Sequence, residues 1–214
     1  MEELASPQSK IGPSMAAVYG PAGRGKTMAA HRTAVHAEAI YIPPLNIRTP
    51  FGMLRSITNE LQGVKPGTAE RCIDLIHAEM QRRRRVIIID EAEMLELRVI
   101  EMLRNLNEII SSPIVLVGER ELKQTLAKSA RLQSRIRRAM AFDPISQADI
   151  KLYYKRALDQ ELDALTVKML SDDCGGDWRP MITRALEIER VMRSSGINAI
   201  AADLVSELIN REQG

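Results

Sequence analysis

The sequence predicts an α/β fold, a parallel sheet sandwiched between helices, followed by a small helical lid. Two observations carry this. Up to about residue 145, short apolar runs of strand length alternate with amphipathic segments of helix length, the pattern of a parallel sheet covered on both faces. Beyond Pro144 the β-branched runs stop, and the periodic segments as far as Arg211 read helical. The expected division is residues 1–145 for the α/β core and 146–214 for the lid. A chain of 214 residues suits one domain with a small satellite and is long enough to bury a full core.

Each element follows from local pattern. MAAVY (15–19) is a first strand, leading into a Gly-rich loop and a helix through about Glu38. AIYIP (39–43) is a second strand, ended by Pro43-Pro44. Pro50 to Gln62 and Thr68 to Arg83 read as helices, separated by the turn-rich GVKPG. VIIID (86–90) is a continuous β-branched run, the mark of a strand buried on both faces. Leu97 to Ile110 is helical, PIVLVG (113–118) is another buried strand, and MAFDP (140–144) is a shorter last one. Ser146 with Asp149 opens the first lid helix, and the helical pattern breaks near DDCGGDWRP and RSSGIN.

Composition removes several function classes. Net charge is only +2, so a nucleic-acid surface has to come from local clustering. Aromatics make up 3%, too few for a base-stacking platform. Cys72 and Cys174 stand far apart without metal-ligand spacing, and read as two buried thiols of a reducing compartment. The N-terminal MEELASPQSKIGPS has no apolar signal region, and no segment approaches 18 uninterrupted apolar residues. A cytoplasmic protein with no membrane partner is expected.

The chemistry is concentrated in a few stretches. GPAGRGKT fills Gly20, Pro21, Ala22, Gly23, Arg24, Gly25, Lys26 and Thr27. It matches the phosphate-binding pattern GxxxxGK[ST] between a strand and a helix, the context that pattern requires. Its glycines let backbone N–H groups turn onto phosphate oxygens, aided by the positive end of the helix. Lys26 is expected to reach the β- and γ-phosphates of ATP, and Thr27 to ligate Mg²⁺. In VIIIDEAEML, Asp90 ends a buried strand where a carboxylate belongs beside the Mg²⁺. Glu91 follows, placed to polarise a water for attack on the γ-phosphate. The pair favours hydrolysis over transfer to a bound alcohol; the alternative is that Glu91 and Glu93 only cap the next helix.

Arginines come in clusters. RRRR (82–85) lies at the opposite end of the VIIID strand, roughly 16 Å from Asp90 at about 3.3 Å per residue. It is therefore expected as a solvated edge or a subunit contact, with DNA binding as the lesser reading, rather than as part of that site. SARLQSRIRRAM (129–140) sets four arginines before the last strand. Arg131 and Arg135, four apart on one expected helical face, are candidates for a finger reaching a neighbouring subunit's γ-phosphate. Arg137 and Arg138 are candidates for DNA phosphates, with a merely solvated basic helix as the other reading. In the lid, Arg179 precedes Pro180, expected as a first helical residue. It can fold back to report the phosphate state, or stand as a surface arginine beside a packed Trp178.

These stretches in this order resemble the AAA+ ATPases: phosphate loop at 20–27, DE at 90–91, arginines before the last strand, then a helical lid with GDWR. Within them, RLQSRIRRAMAFDPIS and YIPPLNIRTPFGMLRSITNEL look like the initiator-related branch. That branch holds the ATPases that select target DNA in transposition, the phage Mu B protein and its transposon relatives. The resemblance implies ATP-driven assembly on duplex DNA, as a ring or helical filament of copies of the chain. It implies recruitment and stimulation of a transposase, whose contact triggers hydrolysis and disassembly. Two departures stand out. The strand at 113–118 runs into VGERE where many AAA+ proteins place a polar sensor, leaving Glu119 or Arg120 to substitute. Only about 14 residues precede the first strand, so DNA contact is expected from the ATPase body, with Arg48 and Lys65 as candidates. The alternatives in the same fold are an ATPase of a secretion or assembly machine and a helicase loader.

Overall fold

The structure, a computed structural model, describes residues 15–43 and 47–212. The polar N-terminal stretch and Pro44 lie outside the described residues. The chain divides into two units, one of residues up to Pro21 with Gly25–Phe142, the other of Ala22–Arg24 with Asp143–Gly214.

The first unit holds strands β1 (Met15–Tyr19), β2 (Ile40–Ile42), β3 (Ile87–Ile89), β4 (Ile114–Gly118) and β5 (Ile136–Ala141) in one sheet of order β2-β3-β4-β1-β5. Every pairing is parallel. Around it run α1 (Lys26–His36), α2 (Pro50–Gln62), α3 (Ala69–Arg82), α4 (Leu97–Ile110), α5 (Arg120–Ala127) and α6 (Ala130–Gln133). Strand residues alternate between faces, and the burial follows. Met15, Ala17, Ile87, Ile89, Ile114 and Leu116 pack with residues of α2, α3 and α4. Ala16, Val18, Ile88, Val115 and Val117 face the other side, where α1 supplies Ala30 and Ala34. The short alanines let α1 lie close to the sheet, which fixes where its N-terminus, and the loop before it, stand.

Because the strands are parallel, their C-terminal ends share one edge. Tyr19 pairs with Gly118 and Ile89 with Leu116, so the loop after β1, the acids after β3 and the tip of β4 emerge together. Such an edge is where open α/β sheets bind ligands.

The second unit is helical: α7 (Gln147–Leu158), α8 (Ala164–Cys174), α9 (Trp178–Ser195) and α10 (Ala202–Glu212). Ile150, Tyr154, Val167, Leu170, Ile188 and Val205 belong to its core. Arg184, 4% exposed, is held there by Asp173 at 3.0 Å and Glu187 at 2.7 Å. Ser146 and Asp149 form the expected capping box. No helix of the described residues is long and apolar enough to cross a membrane.

Three expectations are corrected. The stretch 129–140 is not one helix: α6 stops at Gln133 and β5 begins at Ile136. The cause is pairing, since β5 runs along β1 from Met15↔Ile136 to Tyr19↔Ala141, and partnered backbone outweighs local helix preference. The last strand therefore starts four residues earlier than MAFDP, and Arg131 and Arg135 do not share a helical face. Pro180 is the third helical residue rather than the first, because Asp177 caps α9 by accepting the Arg179 N–H at 2.7 Å. That position still lacks an intrahelical N–H partner, so proline costs nothing there. Helix α5 stands where the sequence predicts no element, with Leu122 and Leu126 buried one turn apart.

Candidate nucleotide site

The loop after β1 is shaped by its glycines. A Cβ on Gly20 would meet the Phe142 carbonyl oxygen at 2.8 Å, because the Phe142 N–H donates to Tyr19 just beyond β5. Gly25 takes φ 82° at the start of α1, and no side chain caps that helix. The first-turn N–H groups of α1 thus have no intrahelical acceptor and no side-chain cap, as an anion site needs. Lys26 is 8% exposed, and its ammonium donates to the carbonyls of Gly20 at 2.9 Å and Pro21 at 2.7 Å. Its charge therefore lies over the loop. Thr27 is exposed on the first turn.

Asp90 is buried beyond β3, and each of its carboxylate oxygens is engaged. The Tyr41 hydroxyl donates to Oδ2 at 2.8 Å and the Glu91 N–H to Oδ1 at 2.9 Å. Burial, and next the Asp90 carboxylate, hold the Tyr41 hydroxyl well above the usual phenol range, so it remains a donor. Tyr41 is the residue that sequence reasoning missed. Its signal was the alternation in IYI, which turns Tyr41 to the sheet face opposite Ile40 and Ile42.

Glu91 is exposed and left-handed, at φ 49° and ψ 39°. It starts a one-turn 3-10 helix, Ala92–Met94. A non-glycine residue in this region costs about 1–3 kcal/mol and persists only where its surroundings impose it. Glu93, in the same turn, reaches the tip of β4, where its carboxylate accepts the Glu119 N–H at 3.0 Å. Burial pushes the Glu93 carboxyl above its ordinary range, and the charges of Glu119 and Glu91 add to the rise.

The remaining candidates lie on other elements. Arg131 is exposed on α6, and Arg135 follows it in a turn, paired with Glu108 at 2.7 Å. Arg137 and Arg138 are exposed on β5. The Arg48 carbonyl accepts from Arg98 at 3.2 Å, and Lys65 lines an open cavity of about 370 Å³ with Arg55 and Asn59. Of the RRRR run, Arg82 and Arg85 lie within 4.0 Å of Glu79, and Arg83 pairs with Glu38. Glu119 stands at the N-cap position of α5 without a side-chain capping bond, and Arg120 is exposed beside it.

In the second unit, the loop tip Ala22–Arg24 is gripped by the turn before α9. The Trp178 N–H donates to the Gly23 carbonyl at 2.9 Å, and an Arg24 guanidinium nitrogen to Gly175 at 3.4 Å. Asp177 closes over Gly23 so tightly that any Cβ there would overlap its carboxylate. Arg179 is exposed at the second position of α9.

Comparison with known proteins agrees with this layout. Among curated proteins none matches the sequence. The ORC2 protein of Aeropyrum pernix, solved in ADPNP–ADP complexes, superposes with TM-score 0.69 at 17% identity, over 93% of this chain and 62% of that one. The RuvB Holliday junction branch migration motor of Thermotoga maritima gives TM-score 0.61 at 22% identity, over 92% of this chain and 61% of that one. These likenesses show the fold, and the chain spans about three fifths of the length of those structures. A family model described as AAA domain matches residues 10–126, more than half of the chain. The chain therefore belongs to the AAA domain family.

Proposed function

We propose that the edge formed by Gly20–Thr27, Asp90 and Glu91 binds ATP with Mg²⁺ and hydrolyses it, and that the bound nucleotide controls assembly of the protein on duplex DNA. The observation that carries the reading is the division of labour in the first unit. The acids follow the interior strand β3, whereas exposed arginines (Arg131, Arg137, Arg138) lie on the edge strand β5 or just before it. An edge of that charge suits contact with a polyanion or with a neighbour's phosphates.

The chain's own residues have clear tasks in this reading. Among the described residues no cluster of three His, Cys, Asp or Glu side chains forms a metal cage. Mg²⁺ carried by a nucleotide needs only one or two protein ligands, and Thr27 with Asp90 is such a set. Both Asp90 oxygens keep an unused lone pair beyond Tyr41 and the Glu91 N–H. When bound, Mg-ATP supplies the scissile phosphoanhydride and the metal charge that offsets its negative oxygens. Lys26 leaves the Gly20 and Pro21 carbonyls for phosphate oxygens. Glu91 orients a water and takes its proton. Arg131 or Arg135 of an adjoining copy approaches the γ-phosphate, and Arg179 of the lid reports its presence.

At the finer level we place the protein with the transposition regulators that select target DNA and recruit or stimulate a transposase. The order of motifs supports this reading, and the fold shared with RuvB, a Holliday junction branch migration motor, supports its DNA part. Arg48, Lys65, Arg137 and Arg138 serve as DNA contacts, mainly to phosphates. Light scattering with duplex DNA, with and without ATP or a non-hydrolysable analogue, tests it. Large assemblies that need both ligands are expected; a monomer, or a ring indifferent to DNA, overturns it in favour of a secretion-type ATPase or helicase loader. Lys26→Ala should weaken ATP binding by at least about 100-fold and abolish assembly, measured by equilibrium titration.

A further inference from the structure

The geometry points to Glu93 as a positioning residue for hydrolysis: it latches the turn that carries Glu91 to the tip of β4. This rests on the reading of Glu91 as the water-polarising acid.

Glu91 stands in a backbone conformation that its own side chain disfavours, so something else must hold it. Four bonds do. The Glu91 N–H is fixed to Asp90 at 2.9 Å. The Met94 N–H returns to the Glu91 carbonyl at 3.0 Å, and the Leu95 N–H to Ala92 at 3.2 Å. All three are internal to the segment 90–95, whose start is anchored to β2 by the Tyr41 hydroxyl on Asp90 and by the Asp90 N–H on the Ile42 carbonyl at 3.1 Å. The fourth, from the Glu119 N–H to the Glu93 carboxylate at 3.0 Å, ties the side of the turn beyond Glu91 to the end of β4. It is also a charge-assisted bond at the start of α5, where the helix end favours a carboxylate.

The fit at β4 is close. A Cβ on Gly118 would stand 2.4 Å from Glu93 Oε2 and 3.1 Å from the Glu93 backbone nitrogen. The absence of a side chain at Gly118 is what lets the turn lie flat against the strand. Burying a carboxylate beside Glu91 and Glu119 is unfavourable in itself, as the raised Glu93 titration reflects. A residue that only filled space here would be apolar. A carboxylate that accepts a helix-start N–H holds direction as well as volume. Through it the orientation of Glu91 depends on the β4–α5 junction, and α5 leads directly into the segment bearing Arg131 and Arg135.

The test is steady-state hydrolysis and ATP binding for Glu93→Ala, Glu93→Gln and Glu91→Gln, and for Glu93→Ala combined with Glu91→Gln. Glu93→Ala should lower kcat by about 10- to 100-fold with ATP affinity unchanged. Glu93→Gln, whose amide oxygen still accepts the Glu119 N–H, should recover most of that loss. Added to Glu91→Gln, Glu93→Ala should cost nothing further, because it acts through Glu91. Unchanged kcat in Glu93→Ala, no rescue by glutamine, or a full additional loss in the double variant each overturns the latch. If Glu93→Ala melts too low to assay, Glu93→Asp takes its place under the same criteria, its shorter stem leaving the Glu119 N–H out of reach. Full turnover in Glu91→Gln would instead remove the reading of Glu91, so the two failures are distinguishable.

Discussion

Strands β3 and β5 belong to one sheet yet are built from opposite materials. The three residues of β3 are isoleucines at most 1% exposed, whereas five of the six in β5 are open to solvent, two arginines among them. β3 is paired on both sides; β5 is an edge strand paired with β1 alone. The first delivers a carboxylate to a fixed place. The second displays charge where other molecules can meet it. Precision is located where backbone and side chains are both over-determined, and contact where they are not.

The largest expected effect joins the acid just after β3 to the arginines just before β5. Arg131→Ala or Arg135→Ala should cut turnover of the assembled protein by about 10³-fold or more, with ATP affinity of the monomer kept. Glu91→Gln should cost about 10²- to 10⁴-fold. Mixing an arginine variant with Glu91→Gln should restore part of the phosphate release, since one copy then supplies the acid and the other the arginine. No recovery in either mixture would place the finger elsewhere.

Stability sharpens the contrast next. Ile88→Ala should cost about 2–5 kcal/mol in denaturant unfolding, and Met140→Ala, at a side chain 37% exposed, about 0.5 kcal/mol or less. Equal losses would mean that β5 is as fully buried in the working protein as β3. An effect smaller than that of Ile88→Ala is expected for Tyr41→Phe, which removes the hydroxyl from Asp90. It should lower stability by about 1 kcal/mol, while kcat falls more than ATP affinity changes.

The same contrast governs what could be read from the sequence. VIIID announces a strand because burial on both faces demands an unbroken apolar run. Pro50–Gln62 and Leu97–Ile110 announce helices because one apolar stripe and clear ends suffice. The segment 129–141 has neither. Its strand exists through pairing with β1, a contact between residues more than a hundred positions apart, and its local pattern reads as a basic helix. Tyr41 escaped for a related reason. Its use depends on the register Tyr41↔Ile88, two residues before Asp90, which no local window contains. Glu93 was visible only as a possible cap, since its partner is a backbone N–H on another element.

One close approach has a consequence for how such sequences change over time. Gly118 has no room for a side chain while Glu93 lies across it, and Glu93 keeps its backbone partner only while Gly118 stays bare. Each residue sets the fitness of alternatives at the other. A side chain at 118 would need a shorter residue at 93 together with a shift of Leu122 and of the Glu93 backbone, so the two positions constrain each other's substitutions.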